Sequence, residues 1–123
     1  MANEIIILKR GSRQIEADDG PQERTVVTCV FLYPGNITDG QGNAVGNITD
    51  HRHLQAHTHL TDAERADLES GALIGKRVQF EMPVQADRTA YLARIRDEYN
   101  SRKTTHLAEI AEENEDVGIR IDA

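Results

Sequence analysis

Four histidines within nine residues, His51, His53, His57 and His59, form the densest group of chemistry-bearing side chains in this chain. On an extended backbone His51 shares a face with His53, and His57 with His59; on a helix His53 and His57 share one. Either arrangement offers imidazoles to zinc or nickel, the basis of a metal-binding module or a metal-dependent enzyme. A catalytic zinc also needs a carboxylate base and an enclosing pocket, and this run follows a glycine-rich stretch with little to build one. Clustered imidazoles titrating near their ordinary pKa would instead make a pH-sensitive contact surface. The favoured expectation is an exposed polar stretch, with no metal and no cofactor.

Other reactive groups are thinly placed. Cys29 is the only cysteine, so no internal disulfide and no cysteine zinc site can form; inside the apolar run Thr25 to Tyr33 it acts as a small hydrophobe. Ser12, Ser70 and Ser101 have no nucleophile-elbow setting, and no glycine-rich phosphate loop leads into a helix. Asp18 and Asp19 sit in turn chemistry. No enzyme is expected. Two Asn-x-Thr sequons, at Asn36 and Asn47, match the glycosylation pattern, but the longest apolar run near the N-terminus, Ile5 to Leu8, is too short for a secretory leader or a membrane span.

The pentapeptide Gly35-Asn36-Ile37-Thr38-Asp39 recurs as Gly46-Asn47-Ile48-Thr49-Asp50. One short duplication makes no solenoid, and its carboxylates miss the alternating positions of a calcium loop. The favoured expectation is a long flexible hairpin or loop with two similar turns; a loop this long within one domain is usually disordered or used for contact, and in the second case Ile37, Asp39, Ile48 and Asp50 are candidate contact residues.

The elements around these groups follow from composition and period. The formal net charge is −7, which disfavours nonspecific binding to nucleic acid or anionic membrane. Leu, Ile, Val and Phe supply 28 of the 123 residues and Trp none, a thin core for one domain. Residues 4–8 predict a short strand, Lys9 to Pro21 a polar turn-rich stretch, and Thr25 to Tyr33 a central strand covered on both faces. Thr61 and Glu64 form a capping box for a helix that Gly71 ends, with Leu60 and Leu68 facing inward. Lys76 to Met82 alternates as a half-buried strand.

From Asp87 to about Asn114 a long helix is expected, with Leu92, Ile95, Tyr99, His106, Leu107 and Ile110 on its apolar face. At ~1.5 Å per residue it spans roughly 42 Å, longer than a globule of this size is wide, so part of it is expected to project or to pack on another molecule. Glu109, Glu112, Glu113, Glu115 and Asp116 crowd the unfavourable end of its dipole; the favoured expectation is a frayed, solvated terminus, the alternative a cationic partner or a neighbouring copy whose Arg94, Arg96, Arg102 and Lys103 complement them. Ile119 to Ala123 alternates like a strand that could extend a sheet edge. Arg102, Glu112, Ile119 and Ile121 therefore join the contact candidates. The fold class expected is α+β, a single domain with a three- to four-stranded sheet, one short helix and one long C-terminal helix, a Gly/Asn/His-rich loop at about 35–59 and a tail at 118–123.

The strand ending Val30-Phe31-Leu32-Tyr33-Pro34, the segment Leu60-Thr61-Asp62-Ala63-Glu64-Arg65-Ala66-Asp67-Leu68-Glu69-Ser70-Gly71, the helix with Tyr99 and the terminal Gly118-Ile119-Arg120-Ile121-Asp122-Ala123 together resemble small structural proteins of tailed bacteriophages, over about residues 25–123. The resemblance implies a virion component assembled in the host cytoplasm: a neck connector or adaptor, present as a ring of identical copies between portal and tail or neck proteins, through which DNA passes without specific binding. A capsid decoration protein is the neighbouring alternative. A thin core and an overlong helix agree with stability gained from neighbouring copies.

Overall fold

β-Branched and aromatic residues from Val27 to Tyr33 hold the centre of the molecule, every one of them buried. The computed structural model describes residues 4–45 and 58–122. In chain order the elements are β1 (Glu4–Ala17), β2 (Gly20–Pro34), α1 (Asp62–Ser70), β3 (Leu73–Pro83) and α2 (Arg88–Asn114). The fold is α+β, with a three-stranded antiparallel sheet in the order β1-β2-β3. Because β2 is central, its alternate side chains divide between two layers. Val27, Cys29, Phe31 and Tyr33 pack with β3 and with α2, while Val30 and Leu32 pack with Leu60, Leu68 and Leu73 on the α1 side.

The first strand is longer than the sequence suggests. Lys9 to Ala17 continues β1, paired residue for residue with β2 down to Ala17 opposite Gly20. Tertiary pairing overrides the weak strand propensity of Gly11, Ser12 and the charged residues there, and the reversal is confined to Asp18 and Asp19, with Gly20 at φ 111°. A bulge between Ile7 and Lys9 shifts the register. An extra residue in one strand turns its later side chains over, so Ile5 packs on the α2 side, Ile6 and Leu8 on the α1 side, and Arg10 again on the α2 side, its guanidinium 4.6 Å above the Tyr91 ring. Below Arg24, which pairs with Pro83, the β1–β2 ribbon runs on without a third strand.

Local chemistry sets both ends of α1 and the start of α2. Thr61 Oγ1 accepts from the Glu64 amide at 3.1 Å, Glu64 Oε1 accepts from the Thr61 amide at 2.8 Å, and Gly71 closes α1 at φ 88°. Asp87 caps α2, its carboxylate accepting from the Ala90 amide at 2.8 Å.

The long helix lies along its own sheet, contrary to the expectation of a projecting arm. Tyr91, Ile95, Tyr99, His106 and Ile110 are buried, with Leu92 and Leu107 packed beside them. From Tyr91 to Ile110 is about 28 Å of helix, and the sheet and the residues packed on it cover that whole length. The chain after α2 is not a strand either: residues 115–118 turn, and 119–122 carry no regular structure. Residues 37–45 of the predicted long loop form a small hairpin, with a Thr38–Ala44 bridge and a Val45 amide to Ile37 carbonyl bond of 2.8 Å.

Candidate functional site

The most concentrated polar chemistry in the described core joins β2 to α2. Tyr33 Oη and His106 Nδ1 lie 2.5 Å apart, both groups buried. Tyr99 Oη donates to the Leu32 carbonyl at 2.7 Å. The rings of Tyr33 and Tyr99 are 4.9 Å apart between centroids, Phe31 and Tyr99 5.2 Å, and Tyr33 and His106 5.7 Å. Burial pushes the Cys29 thiol up to about 12 and the Tyr33 phenol well above its ordinary value. His106 is held below the usual histidine range, first by burial and then by the cations Lys76 and Arg102, against an opposing pull from Glu109. Every member of the cluster is therefore uncharged at neutral pH. A closed set of neutral, mutually satisfied groups fixes helix to sheet; it offers no ionised nucleophile and no access for a substrate.

The histidine run falls largely outside the described residues: His51, His53 and His57 lie there, as do Ile48 and Asp50, whereas His59 is exposed just ahead of α1. Among the described residues no group of three or more histidine, cysteine or acidic side chains is placed to hold a metal ion. No helix among them is long and apolar enough to cross a membrane.

The remaining contact candidates separate into engaged and open ones. Ile37 packs against the core beneath α2. Asp39 Oδ1 accepts from the amides of Gln41 at 2.9 Å and Asn43 at 3.0 Å, shaping the small hairpin. Arg102 donates through Nε to Glu98 at 2.8 Å and lies 5.2 Å over the Phe80 ring, while Arg94 approaches the same Glu98 at 3.4 Å. These three charges form a ladder along one helix face. Glu112 is exposed beside a shallow hollow lined by Asn36, Ile37 and Thr38. Ile119 is 50% exposed and Ile121 88%.

Ile37, Asp39, Glu112 and Ile119 gather at one pole, where the 37–45 hairpin clasps the end of α2. The Gly40 amide donates to the Val117 carbonyl at 2.9 Å and Gln41 Nε2 to the Gly118 carbonyl at 2.5 Å. Gly40 is required by space: a Cβ there would lie 2.7 Å from the Glu115 carbonyl oxygen and 2.6 Å from the Ile119 side chain. Arg102 stands three turns back along the helix.

Two surfaces escaped sequence reasoning because they depend on pairing register. A cleft of about 480 Å³ opens between the outer edge of β1 and α2, its floor Ile5, Ile7, Leu92 and Ile95, its rim Arg96, Asn100 and Lys103. The other surface is the open half of the sheet on the α1 side. Register places Lys9, Arg13, Arg24 and Arg77 there with Glu81, since they pair with or share the strand face of Thr28, Val26 and Val30. Arg13 and Arg24 stand directly opposite one another, an unfavourable like-charge pair relieved by the 2.9 Å Arg13–Glu81 ion pair. This cationic face and the acidic end of α2 occupy different ends of a chain whose net charge is −7. Comparison with protein-family models, curated proteins and solved structures finds no match to this chain.

Proposed function

We propose that this protein is a non-enzymatic structural subunit that assembles as a homo-oligomeric ring, serving as a head-to-tail connector or adaptor in the neck of a tailed phage. One observation carries the proposal: a sheet edge with an apolar cleft at its side, on β1, and at the α2 pole of the same chain the isoleucine Ile121, 88% exposed, with Ile119 half exposed beside Gly40. Complementary patches at different places on one molecule make heterologous contacts, which generate rings when the rotation closes. Charge supports the same contact, the acidic end of α2 facing the cationic Arg96 and Lys103 at the rim of that cleft.

The resemblance noted above supplies the setting: a virion assembled in the host cytoplasm, portal and tail or neck proteins as partners, and DNA passing through without specific binding, as an acidic protein would allow. Mass photometry and negative-stain imaging of the purified protein, alone and with portal or tail proteins, test it. Closed rings of one size support the assignment. Small clusters that bind only a capsid lattice would favour a decoration protein, and stoichiometric zinc whose removal unfolds the chain would favour the histidine-based alternative.

A further inference from the structure

We infer that the cleft between β1 and α2 is the seat for the segment Ile119–Asp122 of a second copy, which adds as a strand to the free edge of β1 and places Ile121 against Ile5, Ile7, Leu92 and Ile95. This rests on the ring assignment and specifies its interface. Among the described residues β1 has no strand partner on its outer side, and Ile7 keeps 37% of its surface exposed although it lies beside the core. An unpaired edge with apolar side chains next to it is a template for strand addition, in which backbone bonds supply affinity and alternate side chains supply specificity.

The segment has the matching pattern. Side chains two apart share a face of a strand, so as Ile121 points toward the helix-side cleft Ile119 turns the same way, leaving its place over Gly40 of its own chain. Arg120 and Asp122 then take the other face, where Glu4 and Asp67, with the cap residue Glu64, line a second hollow that offers carboxylates to Arg120. Glu115 and Asp116, just ahead of the segment, come to the cationic rim of Arg96 and Lys103, neither of which is ion-paired among the described residues.

Reach assigns the segment to another copy. Val117 and Gly118 are tied to the 40–41 turn beside the end of α2. Ile121, three residues further on, extends at most about 11 Å from that tie. Ile95 lies 19 residues before Asn114, about 28 Å back along the helix. The chain's own Ile121 therefore cannot enter its own cleft. Each copy offers one segment and one cleft, so contacts propagate from copy to copy.

The test combines three measurements on the full chain. The first is the mass of the parent and of Ile121→Asp, a change at an exposed position that leaves folding intact. The second is disulfide formation in a mixture of Ile7→Cys and Ile121→Cys chains, with the buried Cys29 left in place. The third is binding of a fluorescent peptide of residues 113–122 to the parent. Expected are loss of assembly in Ile121→Asp, a cross-linked dimer that only the mixture forms, and peptide binding weakened at least about tenfold by the same substitution, the effect of failing to bury one isoleucine. Parent and variant rings of equal mass with no cross-link would overturn this docking and leave the ring assignment standing. A monomeric parent that binds the peptide through Ile121 would sustain the cleft and remove self-assembly. A monomeric parent without that binding would remove both.

Discussion

Truncating Ile110 to alanine tests whether the far half of α2 belongs to this chain's own core. Ile110 is 5% exposed and Ile95, about four turns earlier, is 2% exposed. Removing a buried isoleucine down to alanine costs about 2–5 kcal/mol, more where the site cannot collapse. Ile95 lies mid-helix among β2 and β3 side chains and falls toward the upper part of that range. Ile110 lies one turn from the helix end, where the chain can settle inward, and alanine's better helix propensity returns a few tenths of a kcal/mol; about 2–3 kcal/mol is expected. With an unfolding entropy of about 2.1 cal/mol/K per residue, a 123-residue domain loses about 4 °C of Tm per kcal/mol, hence about 8–12 °C for Ile110→Ala. Scanning calorimetry at two protein concentrations is the assay, because packing on the chain's own sheet is independent of concentration whereas packing on a neighbour is not. An Ile110→Ala midpoint within about 2 °C of the parent, with Ile95→Ala strongly lowered, would refute a fully docked helix and restore the projecting arm.

Acid should destabilise the fold through His106. Its folded-state pKa is lowered by burial, by Lys76 and by Arg102 against Glu109, so as pH falls below about 6.5 the unfolded chain takes up a proton that the folded one resists. Urea midpoints measured between pH 7.5 and 5 should fall for the parent and fall less for His106→Gln; parallel slopes would contradict this. The opposite limb belongs to Cys29, whose thiol is raised to about 12: a disulfide-exchange reagent at pH 8 should leave it unmodified in the native protein and label it fully in denaturant, and rapid native labelling would place it outside the core. Thr61→Ala removes one arm of the capping box and should cost about 1 kcal/mol, read as a Tm drop of about 4 °C.

Local chemistry was legible wherever one residue type settles the backbone. Thr61 with Glu64, Gly71 and Asp87 set both ends of α1 and the start of α2, and the alternation of Val78, Phe80 and Met82 set the buried face of β3, because caps and period act over three or four residues. The extent of β1 was not legible. Its apolar phase reverses at the bulge after Ile7, and beyond Lys9 the strand persists through pairing with β2 alone. Local composition carries no trace of a partner strand. The Tyr33–His106 contact links residues 73 apart in sequence, and nothing in either local pattern marks the other. The projecting arm failed for a different reason: roundness was assumed. A helix of 27 residues exceeds the width of a sphere of this mass, yet a β2 strand of 15 residues spans about 50 Å and gives it a bed along its length. What the sheet leaves unfinished is therefore lateral, along the outer edge of β1, and the large apolar side chains left exposed among the described residues are Ile7 at that edge, Val84 ahead of α2, and Val117, Ile119 and Ile121 after it.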